Sequence, residues 1–270
     1  MNDMLPNSAV PGLPDALEAN MVAFWRAYGA APGCEVTEGP GLTRVVTGMP
    51  VALFNGVFRA RLGDDAAAAA IEETRQAVAR RQAPLLWWVA PGSQPAGLGD
   101  LLLAHGFTPA GSVPGMAVDL ARLAPAPALP PDFRIEVVQD RTALAQWSEV
   151  AAAGSGFPPQ AVTKLGELDR GIGLFPGTVV QRYLGLLDGA AVAASARVDH
   201  AGVTGIYAVA TLPAARRRGI GAAMTVRPLL DAAAAGYRVG TLQASDMGYG
   251  VYRSLGFAEV CQMELYLLRP

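Results

Sequence analysis

The residues best suited to chemistry are Arg216-Arg217-Arg218-Gly219-Ile220-Gly221-Ala222. They follow a short apolar run from Ile206 to Thr211 and a turn carrying Pro213. The run reads as a buried strand, and the alanine-rich residues after Gly219 read as a helix. Strand, glycine turn and helix together hold anions. The first N–H groups of a helix have no internal acceptor, and the helix dipole makes that end partly positive. Gly219 and Gly221 remove side chains that would keep a pyrophosphate away from those donors. The three arginines add charge-assisted donors on the approach.

Spacing separates three kinds of phosphate loop. A P-loop needs Gly-x-x-x-x-Gly-Lys-Ser/Thr, and the only lysine here is Lys164. A dinucleotide fingerprint needs a third small residue where this chain has Met224, and an acidic residue about 20 positions on, which is missing. The pattern Arg/Gln-x-x-Gly-x-Gly/Ala fits Arg216 to Gly221 without a gap. It resembles the pyrophosphate loop of the GNAT superfamily of acetyl-CoA-dependent N-acyltransferases. The bland alternative is an arginine-rich helix start at the surface. A second block weighs against that. Tyr237 to Ser245 reads as a strand, Asp246 to Gly250 as a turn into a short helix, and Tyr252-x-x-x-Gly256-Phe257 is similar to the last motif of the superfamily. Order and separation match over residues 132–270.

The resemblance implies a central strand splayed from its neighbour, with backbone groups of Val209, Ala210 and Thr211 pairing the pantetheine arm of acetyl-CoA (coenzyme A). Arg216, Arg217, Arg218, Gly219, Ile220, Gly221 and Ala222 would hold the pyrophosphate. Ser245 stands where relatives often carry a cofactor-contacting asparagine, so that contact is weakened. Tyr252 takes the position of the catalytic proton donor. A phenol of pKa about 10 can supply a leaving thiolate of about 8.5. The competing reading of Tyr252 is a core aromatic, and Thr204 and Tyr207 are weaker candidates. No glutamate stands in Gly205–Ala210 to act as base. Asp199 and His200 are nearest and could act through water, although a solvated turn is the simpler reading for both. No metal-ligand spacing or Ser-His-Asp arrangement is visible, and His105 reads as a helix-end residue.

The elements that must position these groups follow from the remaining pattern. At 270 residues the chain suggests two domains. An apolar fraction of 51% supplies a core, and a net charge of −2 gives no basic field for nucleic acid. No apolar run reaches the ~18–20 residues of a membrane span. The first residues carry no basic and apolar leader, and Cys34 and Cys261 are far apart, so the expected setting is cytoplasmic. A helix is expected from Asp15, as N-cap, to Tyr28. Strands are expected at 34–37, 42–46 and 51–59, a helix from Gly63 to Arg81, a strand at 84–90 and a short helix at 98–105. This order returns in the second half, where Leu101 to Phe107 aligns with Val251 to Phe257. In the first copy Asp64 and Asp65 replace the arginines and Leu102 replaces Tyr252, which removes anion binding and the proton donor. Pro125, Pro127, Pro130 and Pro131 mark a linker. Strands at 133–138, 179–187 and 191–198 and helices starting at Asp140 and Gln160 complete the second half. Pro228 should bend the helix that holds it.

The fold class expected is α/β (α+β): two tandem GNAT-like αβα sandwiches, each with a mixed, mostly antiparallel central sheet. Residues 1–122 would be a degenerate domain, 123–131 the linker and 132–270 the catalytic domain. The expected activity is acetyl transfer from acetyl-CoA to a small-molecule primary amine, with no nucleic-acid, membrane or metal partner and room for a homodimer. The segment Trp147–Phe175, with Phe157, Pro158 and Phe175, would line the acceptor pocket. The alternatives are a non-catalytic acyl-CoA-binding sensor or interaction protein and a nucleotide-binding module.

Overall fold

The computed structural model describes residues 4–39 and 41–270. Helix α1 (Leu13–Ala27) buries Leu17, Met21, Phe24 and Trp25, which recur at helical spacing. Asp15 does not cap it: Gly12 is the N-cap, and Asp15 Oδ1 instead accepts from Arg61 Nη2 at 2.7 Å. Strands β1 (Glu35–Gly39) and β2 (Leu42–Val46) pair as a hairpin. The single strand expected over 51–59 is broken. Residues 52–54 form a 3-10 turn, and β3 is only Asn55–Phe58. Asn55 is the cause. Its buried side chain accepts from the N–H groups of Thr47 and Gly48 and donates to the carbonyls of Met49 and Pro84, which pins the loop.

Helix α2 (Asp64–Arg81) carries Asp64 and Asp65 in its first turn and Arg80 and Arg81 in its last, charges that suit its dipole. Strand β4 (Leu85–Val89), helix α3 (Leu98–Ala104) and strand β5 (Thr108–Asp119) follow. His105 ends α3, with Nδ1 2.8 Å from the Leu101 carbonyl. After the linker come β6 (Phe133–Val137) and α4 (Arg141–Gly154), capped by Asp140, which accepts from the Ala143 N–H at 2.8 Å. Helix α5 (Pro159–Ile172) follows, starting one residue before the expected Gln160. Then β7 (Val180–Leu187), β8 (Ala190–His200), β9 (Val203–Thr211), α6 (Ile220–Ala234), β10 (Val239–Gln243), α7 (Asp246–Ser254) and β11 (Ala258–Leu268) complete the chain. Helix α6 continues through Pro228, whose carbonyl accepts from Arg197 Nη1 at 3.3 Å.

The two mixed, mostly antiparallel sheets are joined into one of eleven strands, ordered β1-β2-β3-β4-β11-β5-β10-β9-β8-β7-β6. Among the named strands of the described residues, only β3–β4 and β9–β10 pair in parallel. The join exchanges strands. β5, the last strand of the first half, pairs with β10 of the second, while β11 lies between β4 and β5. Continuous ladders thereby leave no open sheet edge between the halves. The largest apolar core also crosses the join, from Leu17 and Trp88 to Trp147, Leu165 and Leu184. No helix among the described residues is long and apolar enough to cross a membrane.

Candidate active site

Strands β9 and β10 pair only at Thr204↔Gly240 and Gly205↔Thr241. Past that point they separate, and the backbone of 206–211 has no partner strand on that side. The other edge of β9 is distorted as well. Ala196 faces Tyr207 while Ala194 faces Ala210, so two residues, Ala208 and Val209, oppose Ser195. Ala208 takes φ +51°, a left-handed conformation that costs a non-glycine residue about 1–2 kcal/mol. Such a bulge bends a strand and re-aims its groups, and here it lies where the gap opens.

The turn after β9 supplies the end of the gap. Arg217 and Gly219 both have left-handed backbones, φ +59° and +76°. The first intrahelical bond of α6 runs from Ala223 N to Gly219 O at 3.1 Å, so the N–H groups of Ile220, Gly221 and Ala222 have no intrahelical acceptor. The two glycines differ. A Cβ on Gly219 would stand 2.9 Å from Pro127 Cγ of the linker, whereas one on Gly221 would meet nothing nearer than Thr211 Oγ1 at 3.9 Å. Gly219 is needed for the turn; Gly221 keeps a space open.

That space is a groove of about 400 Å³, lined by Val209, Thr211, Arg216, Arg217, the start of α6, Ser245 and Tyr252, with Pro127 on its rim. Arg216 braces it from beneath, with Nε donating to the Thr211 carbonyl and Nη2 to the Gly154 carbonyl, both at 3.0 Å. Two groups expected here stand apart. Arg218 is exposed and outside the groove lining, and the Ala210 side chain packs toward Gly154, leaving only its backbone for the gap.

Ser245 is the N-cap of α7, its Oγ accepting from the Gly248 N–H at 3.3 Å. Two turns on, Tyr252 is buried edge-on against Phe257, with ring centroids 5.9 Å apart. Gly248 leaves room for its ring: a Cβ there would be 2.6 Å from Tyr252 Cε2. Burial alone pushes the Tyr252 phenol up to about 12, so it stays protonated across the working pH range.

Tyr252, Ser245 and Val209 also line a second cavity of about 290 Å³, which meets the groove at those residues. Nine of its walls are aromatic. Phe24, Trp25, Tyr28, Phe54 and Trp88 come from the first half, and Trp147, Phe157, Tyr207 and Tyr252 from the second. Phe24 stacks on Tyr207 with ring centroids 4.3 Å apart. No charged side chain and no histidine is part of the lining. Trp147 and Phe157 are where the sequence suggests, but Pro158 is not in this lining. Phe175 is half exposed beside Arg197 and Asp199 in a separate pocket. Sequence reasoning missed the five aromatics of the first half, because a tryptophan or phenylalanine at helical or strand spacing reads simply as core.

The nearest candidate bases do not reach this cavity. Asp199 is held by Arg197 Nη2 at 3.0 Å and by the Thr204 hydroxyl at 2.7 Å, and His200 is exposed at the end of β8. Thr204 is thereby engaged, and the Tyr207 hydroxyl donates to Asn20 Oδ1 at 2.6 Å. Among the described residues no group of three metal-ligating side chains could hold a metal ion.

The first half repeats the splayed pair without the opening. β3 and β4 pair at Gly56↔Leu86 and Val57↔Trp87 only. Beyond them the chain's own backbone fills the gap, with Gln94 N bonded to Ala60 O at 2.7 Å and Leu62 N to Gln94 O at 3.3 Å. The helix start there carries two carboxylates, and Leu102 is buried in the place of Tyr252.

No protein-family model matches the chain, and no curated protein matches it by sequence. Solved structures do. A GCN5-related N-acetyltransferase from Kribbella flavida superposes with TM-score 0.64 at 23% identity, covering 93% of this chain and 95% of that one. A tandem GNAT protein from the clavulanic acid biosynthesis pathway gives TM-score 0.64 at 14% identity, over 95% and 93% of the two chains. A GCN5-related N-acetyltransferase from Sphaerobacter thermophilus gives 0.61 at 18%, over 98% and 95%. The chain has the fold of the GCN5-related N-acetyltransferases, and its likeness to the tandem protein extends over nearly its full length.

Proposed function

We propose that the chain transfers an acetyl group from acetyl-CoA to a small-molecule primary amine, with the chemistry in residues 132–270 and residues 1–122 serving as scaffold and cavity wall. The observation that carries this reading is the position of Tyr252, at the one place where an anion-binding groove and an aromatic cavity meet. The groove suits a diphosphate-bearing thioester. Free N–H groups at 220–222 and the Arg217 guanidinium can hold phosphates, the open space at Gly221 admits them, and the β9 edge at 209–211, which no strand covers on the β10 side, can pair an extended amide-bearing arm. When bound, the thioester supplies an acyl carbon already activated for attack. Tyr252 supplies the proton that the departing sulfur needs. A phenol raised to about 12 is a weaker acid than usual, but it is always present in the donating form.

The test pairs binding with turnover. Acetyl-CoA at about 100 times its Kd should stabilise the fold by about 2.7 kcal/mol, and NAD and ATP should not. Tyr252→Phe should keep that stabilisation and lower kcat by roughly 10²-fold or more. Equal stabilisation by NAD or ATP would contradict the cofactor assignment. A second reading, a non-catalytic acyl-CoA sensor, is favoured by the absence of a carboxylate or histidine in the cavity lining. It predicts binding of acetyl-CoA with no free CoA formed in the presence of any amine.

A further inference from the structure

The acceptor cavity has two features that acetyl transfer in general does not require. First, none of its walls can take a proton from a cationic substrate, since no Asp, Glu or His lines it. Second, nine of its lining side chains are aromatic, and they meet as stacked and edge-on pairs, Phe24 on Tyr207 and Phe54 against Trp25 and Phe157 among them.

We propose, resting on the transferase reading above, that the acceptor is a flat aromatic amine, uncharged at neutral pH. Nine aromatic walls favour a ring. The missing base selects the kind of amine. An alkylamine of pKa about 10.4 is neutral in only about one molecule in 2,500 at pH 7. Its extra proton would have to leave through a cavity with nothing to accept it. An arylamine arrives already neutral.

The protons then balance with Tyr252 as the only participating side chain. The amine nitrogen forms a bond to the acyl carbon and the carbon–sulfur bond breaks, its electron pair leaving on sulfur. Tyr252 gives its proton to that sulfur and regains one from the nitrogen of the new amide. Arylamine and thioester become anilide and free thiol, and the enzyme returns to its starting state.

The experiment uses the full-length protein with saturating acetyl-CoA and two amines, aniline and 2-phenylethylamine, from pH 6 to 9. The expected result is that aniline is turned over with a kcat/KM that is flat in pH and at least 100-fold above that of 2-phenylethylamine at pH 7. Preference for 2-phenylethylamine, with a rate climbing tenfold per pH unit, overturns the inference. Thermal stabilisation by acetyl-CoA is measured separately on the same protein. Its presence without arylamine turnover sinks this inference alone; its absence removes the transferase reading and this inference with it.

Discussion

The Tyr207 hydroxyl donates to Asn20 Oδ1 at 2.6 Å, joining β9 to α1 across 187 positions of sequence. Asn20 Nδ2 is shared among the carbonyls of Val198, His200 and Val203, each at 3.0 Å. One buried amide therefore fixes the first helix of the chain to the hairpin whose second strand borders both the groove and the aromatic cavity.

Replacing that amide should loosen the two halves together. Asn20→Leu leaves a phenol and several buried carbonyls without partners, and about 3 kcal/mol or more of stability should be lost. Tyr207→Phe, which removes one hydroxyl, should cost about 1 kcal/mol. Urea denaturation measures both, and a loss under about 0.5 kcal/mol for Asn20→Leu would show that the contact does not join the halves.

The two glycines of the turn should fail in different ways. Gly221→Asp points a carboxylate into open space in front of the free N–H groups, so acetyl-CoA binding should vanish while the unfolding temperature stays within a few degrees of wild type. Gly219→Ala forces a left-handed backbone and crowds Pro127, so stability should fall by about 1–2 kcal/mol. Calorimetric unfolding and titration with CoA separate the two, and unchanged CoA affinity in Gly221→Asp would remove the phosphate assignment.

Gly248 is a test of how Tyr252 is placed. An added methyl group would press on the Tyr252 ring, which must shift or tilt. Gly248→Ala should therefore lower kcat by 10-fold or more while the affinity for acetyl-CoA changes by less than about 3-fold, since a misplacement near 1 Å can cost about 10² in rate. Steady-state kinetics beside a binding titration decide it; equal losses in both would place Gly248 in the binding groove alone.

Glu18 sets an expected pH dependence. It is buried, accepts from the Arg59 N–H at 3.2 Å and lies 3.5 Å from Arg61 Nη2. Burial raises its pKa, with Arg61 and Arg59 acting in the opposite direction. The folded state then holds the proton more tightly than the unfolded chain. The stability this contributes is complete below the ordinary carboxylate value and is lost as pH rises through the folded value. Glu18→Gln should flatten that slope in stability measured between pH 4 and 7, and an identical slope in both proteins would contradict it.

Much of the candidate site's local geometry was legible because it is contiguous in sequence. Arg216 to Ala222 are consecutive residues on a strand–turn–helix unit, so their types alone specify free N–H groups and an open approach. Tyr252 and Phe257 share one helix and its exit. Asn55 was not legible as a strand breaker, because its six side-chain hydrogen bonds include one to the distant Pro84 carbonyl. The part expected of Phe175 failed for a similar reason. Proximity in sequence to Phe157 does not say that the chain turns Phe175 out toward Arg197 and Asp199.

The sequence by itself determined which half could hold an anion, through Gly219 and Gly221 against Asp64 and Asp65, and where the tyrosine proposed as proton donor stands. These are properties of short segments, settled by backbone sterics and helix electrostatics. Tertiary structure alone decided that β5 and β11 cross between halves and that Phe24, Trp25, Tyr28, Phe54 and Trp88 wall the cavity beside Tyr252. Hydrophobic burial is non-directional. A periodic apolar face states that it will be covered, and only the assembled fold states by what and around which empty space.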